Sequence, residues 1–345
     1  MPRKKNISQQ LTNRQHERIH AIAQRRMDHA RGKQQKLLQS WEMNALGEPQ
    51  NGLIIAHFGL NAEVEDVQGH RYRCAIRETI EEEPVCGDRV IWRPFGDGEQ
   101  GVIETLMPRV SVLRRPGAYR KRLTLAANVD LLVITASAPQ LNTGLIDRYL
   151  VAAGAADIQA MIVINKIDLP HDAVAVENAL VTYGSMGYVI LTVSVETGLG
   201  LETLEAVLGG QTSVFVGPSG VGKSSLIARW IDCSTLKIGA VAESTGRGRQ
   251  TTTVTKLYHL PKGGQLIDSP GIRAFGLFGV EASQAVWHFR DIAPLVSTCR
   301  FKDCRHLQEP DCAVHFAIRK GDVQQWRLDS LQRIVASLLE EEATR

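Results

Sequence analysis

The segment Gly217-Pro218-Ser219-Gly220-Val221-Gly222-Lys223-Ser224 carries residue types that grip a phosphate chain, in the spacing G-x-x-x-x-G-K-S. Its glycines let successive backbone N–H groups converge on one set of oxygens. An apolar strand candidate before it (Thr212–Val216) and a helical stretch after it (Lys223–Ile231) add the positive potential of a helix N-terminus. Lys223 supplies a point charge for β- and γ-phosphates, Ser224 a hydroxyl for Mg²⁺, and Ser225 follows on the same turn. The loop alone does not choose between adenine and guanine nucleotides.

Asn165-Lys166-Ile167-Asp168 makes that choice. It ends a strand candidate, where an α/β sheet presents its ligand contacts. The Asp168 carboxylate can only accept hydrogen bonds. Guanine offers two adjacent donors, N1–H and the 2-amino group, so a charge-assisted bidentate pair forms. Adenine offers an acceptor at N1 and no 2-amino group, which leaves the carboxylate unpaired at a cost of about 1–3 kcal/mol per unsatisfied group.

Asp268-Ser269-Pro270-Gly271 follows the strand candidate Gln265–Ile267. An Asp there holds Mg²⁺ through water, and the Gly271 N–H meets a γ-phosphate. Thr251-Thr252-Thr253 follows the Gly/Arg-rich run Gly246–Gln250. Thr252 is the hydroxyl expected to reach Mg²⁺, and an ordinary strand start is the other reading of these threonines. Ser194, in Ser194-Val195-Glu196-Thr197-Gly198, fits a further loop on the guanine side.

A second chemistry lies near the C-terminus. Cys299, Cys304, His306 and Cys312 fall within fourteen residues as C-x4-C-x-H-x5-C. Three thiolates and an imidazole suit a closed tetrahedral Zn²⁺ site, structural because no coordination position stays open. His315 is a rival for the His position. Such clustering argues for metal rather than disulfides, hence a reducing cytoplasm. Cys74, Cys86 and Cys233 stand alone and read as small apolar fillers.

The elements that must position these residues follow from texture. Short alternating runs at Gly52–Phe58, Ala62–Val67, Tyr72–Ile76, Arg89–Trp92 and Gly101–Thr105 predict a five-stranded barrel of OB-fold size. Phe58, Tyr72, Trp92 and Phe95 could stack on bases or fill the barrel core. After Arg115-Pro116-Gly117, continuous apolar strands alternate with helices. The strands are Asp130–Ala136, Ala160–Asn165, Tyr188–Val193, Thr212–Val216 and Gln265–Ile267, and the helices Leu145–Ala155, Ala173–Tyr183, Leu201–Leu208 and Lys223–Ile231. That alternation predicts a parallel sheet covered on both faces. From Glu281 the chain reads as helical around the Cys/His cluster, with an amphipathic stretch over Asp322–Glu341.

The 345 residues, 43% of them hydrophobic, carry a net charge of +3. Residues 1–47 hold +7 of it and the remaining chain −4. A basic arm of that kind fits a nucleic-acid partner or a solvated tail, disordered or folding on its partner. No apolar run approaches the ~20 residues that cross a bilayer, and the basic N-terminus lacks the apolar stretch of a secretory signal. The domain expectation is an arm over 1–47, an RNA-binding OB-fold over 48–115, a nucleotide domain over 116–280 and a zinc-binding helical domain over 281–345.

The motif order is rearranged. In a Ras-like domain the phosphate loop comes first, whereas here N-K-x-D at 165 precedes the loop at 217. Rejoining nearby termini permits such a circular permutation. Asp268 then leads straight toward the C-terminal cluster, with 27 residues between Gly271 and Cys299. A change on γ-phosphate loss would be transmitted there.

Barrel, permuted nucleotide domain and Cys/His cluster together resemble the bacterial RsgA (YjeQ/EngC) family, the small-ribosomal-subunit-dependent GTPases. The resemblance covers about residues 45–340. It includes Gly87-Asp88-Arg89-Val90, Arg115-Pro116-Gly117, Ala127-Asn128-Val129-Asp130 and the nucleotide and Cys/His motifs above. It implies a multidomain α/β protein: an N-terminal OB-fold barrel, a circularly permuted Ras-like P-loop GTPase domain and a C-terminal helical zinc domain. It also implies GTP hydrolysis with Mg²⁺ stimulated by the small subunit, rRNA contacts, and a part in late small-subunit maturation with release of an assembly factor. The implied protein is cytoplasmic and monomeric, without a membrane partner.

One position departs from the pattern. Ile272 stands where Ras-like enzymes place a water-orienting Gln, and Gln250 stands where the family is thought to use a His. Either the Gln250 amide orients the attacking water beside Lys223 and Thr252, or Gln250 is a loop residue without a role.

Overall fold

The computed structural model describes residues 46–96, 99–116, 122–231, 255–268, 277 and 279–343. Residues 50–106 form the barrel from β1 (Gln50–His57), β2 (Asn61–Glu65), β3 (Arg71–Ile76), β4 (Arg89–Phe95) and β5 (Gln100–Leu106). The strands pair in the order β1-β2-β3-β5-β4 and close by β4 on β1, the arrangement expected of an OB-fold. Alternate residues point inward, so Ile54, Ala62, Val64, Cys74, Val90, Trp92 and Ile103 make a small closed core. Trp92 is fully buried there with Tyr72 packed on it at 4.5 Å, which gives both rings to the core. Phe95 packs on a second small cluster, and Phe58 is exposed.

A hairpin of β6 (Val112–Pro116) and β7 (Arg122–Ala127) follows. The sequence texture at Arg115-Pro116-Gly117 reads as an interdomain break. Pro116 and Gly117 interrupt the alternation in the sequence, which hides the two short strands.

The nucleotide-domain strands are β8 (Leu131–Ser137), β9 (Gln159–Asn165), β10 (Val189–Thr192), β11 (Thr212–Val216) and β13 (Gln265–Asp268). They run parallel in the order β10-β9-β8-β11-β13. β12 (Lys256–His259) is antiparallel to β13 and was not read from sequence, since four residues are too few to show a period. It also pairs with β1 at Ala56–Lys256, so among the described residues barrel and nucleotide sheet form one continuous eleven-stranded sheet.

Strand alternation divides the interior in two. Leu132, Ile134, Ile162 and Ile164 face α1 (Thr143–Ala155) and α2 (Ala173–Ser185). Leu131, Val133, Met161 and Val163 face α3 (Leu201–Leu208) and α4 (Lys223–Ile227). Asn142 and Asp172 cap α1 and α2 by accepting from Leu145 N and Ala175 N. α4 is shorter than expected: beyond Ile227 the bonds tighten to i→i+3 through Trp230.

The C-terminal segment folds as α5 (Ala293–Val296), α6 (Ala313–Lys320) and α7 (Gln325–Ala343). α7 packs along α1, and its Leu328, Leu331, Ile334 and Leu338 join the same apolar cluster as α1 and α2. Among the described residues, no helix is long and apolar enough to cross a membrane.

Candidate functional site

In a parallel sheet every strand delivers its C-terminal end to one edge, where ligands bind. The phosphate loop follows β11 at that edge, Asn165–Asp168 follows β9, Ser194 follows β10, and Asp268 ends β13. Gln250, Thr252 and Gly271 lie outside the described residues.

Two close approaches fix the loop. Gly217 (φ 140°) crosses β8 so tightly that a Cβ would stand 2.2 Å from the Thr135 carbonyl oxygen. At Gly222 (φ 96°) a Cβ would stand 2.3 Å from Asn165 Nδ2. Both positions therefore admit glycine alone.

The room beside Gly222 belongs to Asn165, which is buried and donates from Nδ2 to the Val221 carbonyl at 2.9 Å. Lys166 donates to the Gly220 carbonyl at 2.6 Å. Two side chains of the base-reading loop thus hold the phosphate loop directly. Asp168, two residues on, is exposed, with its carboxylate open to a ligand. Ile167 N–H bonds the Val193 carbonyl, which sets this loop beside Ser194. Buried Ser194 accepts from Thr197 N–H at 3.1 Å and shapes its turn.

Lys223 spans the mouth of the loop, donating to the carbonyls of Gly217 at 2.7 Å and Pro218 at 2.6 Å. Pro218, Ser219 and Gly220 form the exposed crest. Ser224 and Ser225 open α4 with exposed side chains, next to the amides that a helix N-terminus leaves free. The edge therefore places a cationic head, free amides, two hydroxyls and a carboxylate on one rim.

The cysteine cluster is a separate site. The ligand atoms of Cys299, Cys304, His306 and Cys312 all lie within 4.8 Å of one another. His306 Nδ1 stands 3.6, 3.5 and 3.4 Å from the sulfurs of Cys299, Cys304 and Cys312. Tetrahedral zinc bonds give N···S edges of about 3.5 Å, so this donor set fits Zn²⁺ without rearrangement. Burial lowers the His306 pKa and keeps the imidazole neutral, the form that ligates. Burial, followed by the bond to Cys312 and the neighbouring thiols, pushes the Cys304 thiol up to about 12, so its ionisation needs a cation in the cluster. Gln332 of α7 donates to the His306 carbonyl at 2.8 Å and supports its left-handed backbone (φ 55°). His315 is turned away, its Nε2 bonded to the Leu307 carbonyl at 2.7 Å.

Comparison with known proteins decides the family. The RsgA GTPase model matches residues 106–278. A protein named small ribosomal subunit biogenesis GTPase RsgA, from Pseudomonas savastanoi pv. phaseolicola, is 43% identical over 336 residues, covering 95% of this chain and 97% of its own. The chain belongs to the RsgA GTPase family. Two solved structures share its fold: YjeQ from Thermotoga maritima and YloQ, the latter described as a circularly permuted GTPase. Each has a TM-score of 0.67 over 85% of this chain, with 28% and 27% identity and 99% and 96% of their own chains covered.

A buried ion cluster of this RsgA-family chain was not foreseen from its sequence. Arg327 of α7, 2% exposed, pairs with buried Asp147 of α1 and donates to both oxygens of Asp291 at 2.9 Å. Tyr183 of α2 donates to Asp147 at 2.7 Å. No sequence signal marked the pair, since each charge sits among the polar residues of a helix.

Proposed function

We propose that the chain binds GTP with Mg²⁺ at the sheet edge and hydrolyses it to GDP and phosphate. In this reading the small ribosomal subunit stimulates hydrolysis, and the cycle serves late small-subunit maturation, including release of an assembly factor. The observation that carries it is the pair of bonds from Asn165 and Lys166 to the phosphate loop, which put exposed Asp168 and Lys223 on one rim. The name shared by relatives such as the Pseudomonas protein supports the ribosomal assignment.

The residue roles follow from chemistry. Amides of Gly217, Pro218, Ser219, Gly220, Val221 and Gly222, with those of Lys223, Ser224 and Ser225, cradle the phosphates. Lys223 exchanges its bonds to two carbonyls for phosphate oxygens. Ser224 and Thr252 would hold Mg²⁺, which when bound would supply charge neutralisation for the phosphates. By the same motif chemistry, Asp268 is assigned to Mg²⁺ through water and the Gly271 N–H to the γ-phosphate. Asp168 reads N1–H and the 2-amino group of guanine, with Asn165, Lys166, Ile167 and Ser194 shaping its pocket. Phosphoryl transfer then needs a positioned water, which we assign to the Gln250 amide.

The Cys299–Cys304–His306–Cys312 site holds one structural Zn²⁺. The barrel and the basic arm over residues 1–47 contact rRNA, and the protein acts as a cytoplasmic monomer. The test is single-turnover GTP hydrolysis with and without purified small subunits, with co-sedimentation in a GTP analogue and in GDP. Stimulation and nucleotide-dependent sedimentation are expected. Negligible hydrolysis despite subunit binding would make the chain an RNA-binding nucleotide sensor instead.

A further inference from the structure

We propose that in the free protein a groove on the barrel is the docking surface for the chain's own basic arm, with residues 25–41 as the occupant.

The groove lies between the β3–β4 connection, β5 and β6, and has a volume of about 520 Å³. Clefts that take ligands measure roughly 300–1,000 Å³. Ile80, Leu106, Met107 and Val112 give the groove an apolar floor, and exposed Glu81 and Glu82 stand on its rim.

The chain enters the barrel beside this groove. Gly47 N–H donates to the Pro94 carbonyl at 3.0 Å, and Arg93 donates to the Gly47 carbonyl at 3.3 Å. The same Arg93 pairs at 3.1 Å with Glu104, which lines the groove. One side chain therefore joins the point where the arm ends to the groove wall. Residues 25–41 lie outside the described residues. Lys36 stands eleven residues before Gly47. Eleven extended residues span up to about 36–40 Å, ample for a groove one side chain away.

Charge at the rim is left over. Arg109 is committed to Asp88 at 2.7 Å and to Glu82 at 2.8 Å, while Arg77 and Arg93 both go to Glu104. Glu81 and Glu83 are exposed, and among the described residues no cation pairs with the carboxylate of either. Even with exposed Arg114 on the lining, the rim keeps a negative surplus.

The arm carries the complement. Arg25, Arg26, Arg31, Lys33 and Lys36 stand against Asp28 alone, and Leu37, Leu38 and Trp41 follow. Cations suit the glutamates of the rim, and the apolar side chains suit the floor. A nucleic acid does not fit here, because Glu81–Glu83 repel its phosphates. Exposed ion pairs are individually weak, but the arm is tethered, and tethering supplies a high effective concentration.

Carbodiimide joins a lysine amine directly to a carboxylate in contact with it. The test is cross-linking of the full chain with peptide mass analysis, for the wild type and for Glu81→Gln combined with Glu83→Gln. The expected wild-type result is Lys33 or Lys36 joined to Glu81, Glu82 or Glu83 in protein of monomer mass. In the variant the remaining link to Glu82 should fall severalfold, with melting unchanged because both altered side chains are exposed. Arm lysines joined only to other carboxylates overturn the proposal, as does an arm that forms no link to the rim. Rim links found only at dimer mass also overturn it, since the occupant is then the arm of a second copy. An undiminished Glu82 link in the variant removes charge as the basis of docking and overturns it too.

Discussion

Arg327 of α7 and Asp147 of α1, 180 residues apart in sequence, form an ion pair almost wholly withdrawn from water. Asp291 bonds the same guanidinium, and the Phe289 ring lies 4.4 Å from it. Burial works to raise the Asp147 pKa, and Arg327 is the principal influence opposing it. Removing Arg327 alone leaves two carboxylates facing an apolar interior. Arg327→Ala is expected to cost about 3–5 kcal/mol in denaturant unfolding. The double variant Arg327→Met with Asp147→Leu should recover much of that loss, because neither charge remains stranded.

Asp168 is expected to set base choice without supporting the fold, since it is exposed. Asp168→Asn exchanges one acceptor oxygen for a donor facing guanine N1–H and the 2-amino group. GTP affinity should fall about 10- to 100-fold, the range of one or two lost bonds to a charged group. Competition between GTP and ATP, read beside an unchanged melting curve, checks this.

Loss of Cys312 should affect more than the metal. Cys312 caps α6, is buried, and joins the cluster that contains α1 and α7. Cys312→Ser is expected to reduce zinc from one ion per chain to none. It should also lower the melting temperature of the whole chain, since His306 is bonded to α7 through Gln332. Metal analysis and calorimetry on one sample would show whether the two losses occur together.

Stability should fall on acidification from neutral pH. Burial lowers the pKa of His57 and of His288 below 6.5. Just below that value the unfolded chain takes up protons that the folded chain refuses, so stability is present above it and declines as pH drops toward the folded pKa values. Denaturant midpoints at pH 5.5 and 7.0 should differ, and His288→Gln should reduce the difference. An equal slope in the variant would remove His288 from the account.

Gln250 is expected to matter for rate and not for binding. Gln250→Ala should slow subunit-stimulated turnover by roughly tenfold or more while leaving GTP affinity near wild type. An unchanged stimulated rate would end its assignment as the water-orienting group.

Local chemistry was legible in the sequence wherever function forces residues close together. Gly217–Ser224, Asn165–Asp168 and Cys299–Cys312 each lie within a few turns of chain, so spacing nearly determines geometry. The strands β8, β9 and β11 were equally plain, because burial on both faces demands continuous apolar runs. β12 was missed because four residues carry no period, and the β6–β7 hairpin because Arg115-Pro116-Gly117 in the sequence looks like a linker. The Arg327–Asp147 pair was hidden for a different reason. Each residue alone resembles a surface charge on an amphipathic helix, and only tertiary packing brings them together.

The bridge at Ala56–Lys256 gives the barrel and the nucleotide-binding half a shared backbone ladder. Cys86 adds a thiol donor to the Thr255 carbonyl, and His259 pairs with Glu65 across the same seam. Three contacts of different kinds, a backbone bridge, a thiol bond and a side-chain pair, so join the two halves along one edge. The orientation of the barrel relative to the nucleotide-binding sheet is therefore written into main-chain pairing and not left to a linker.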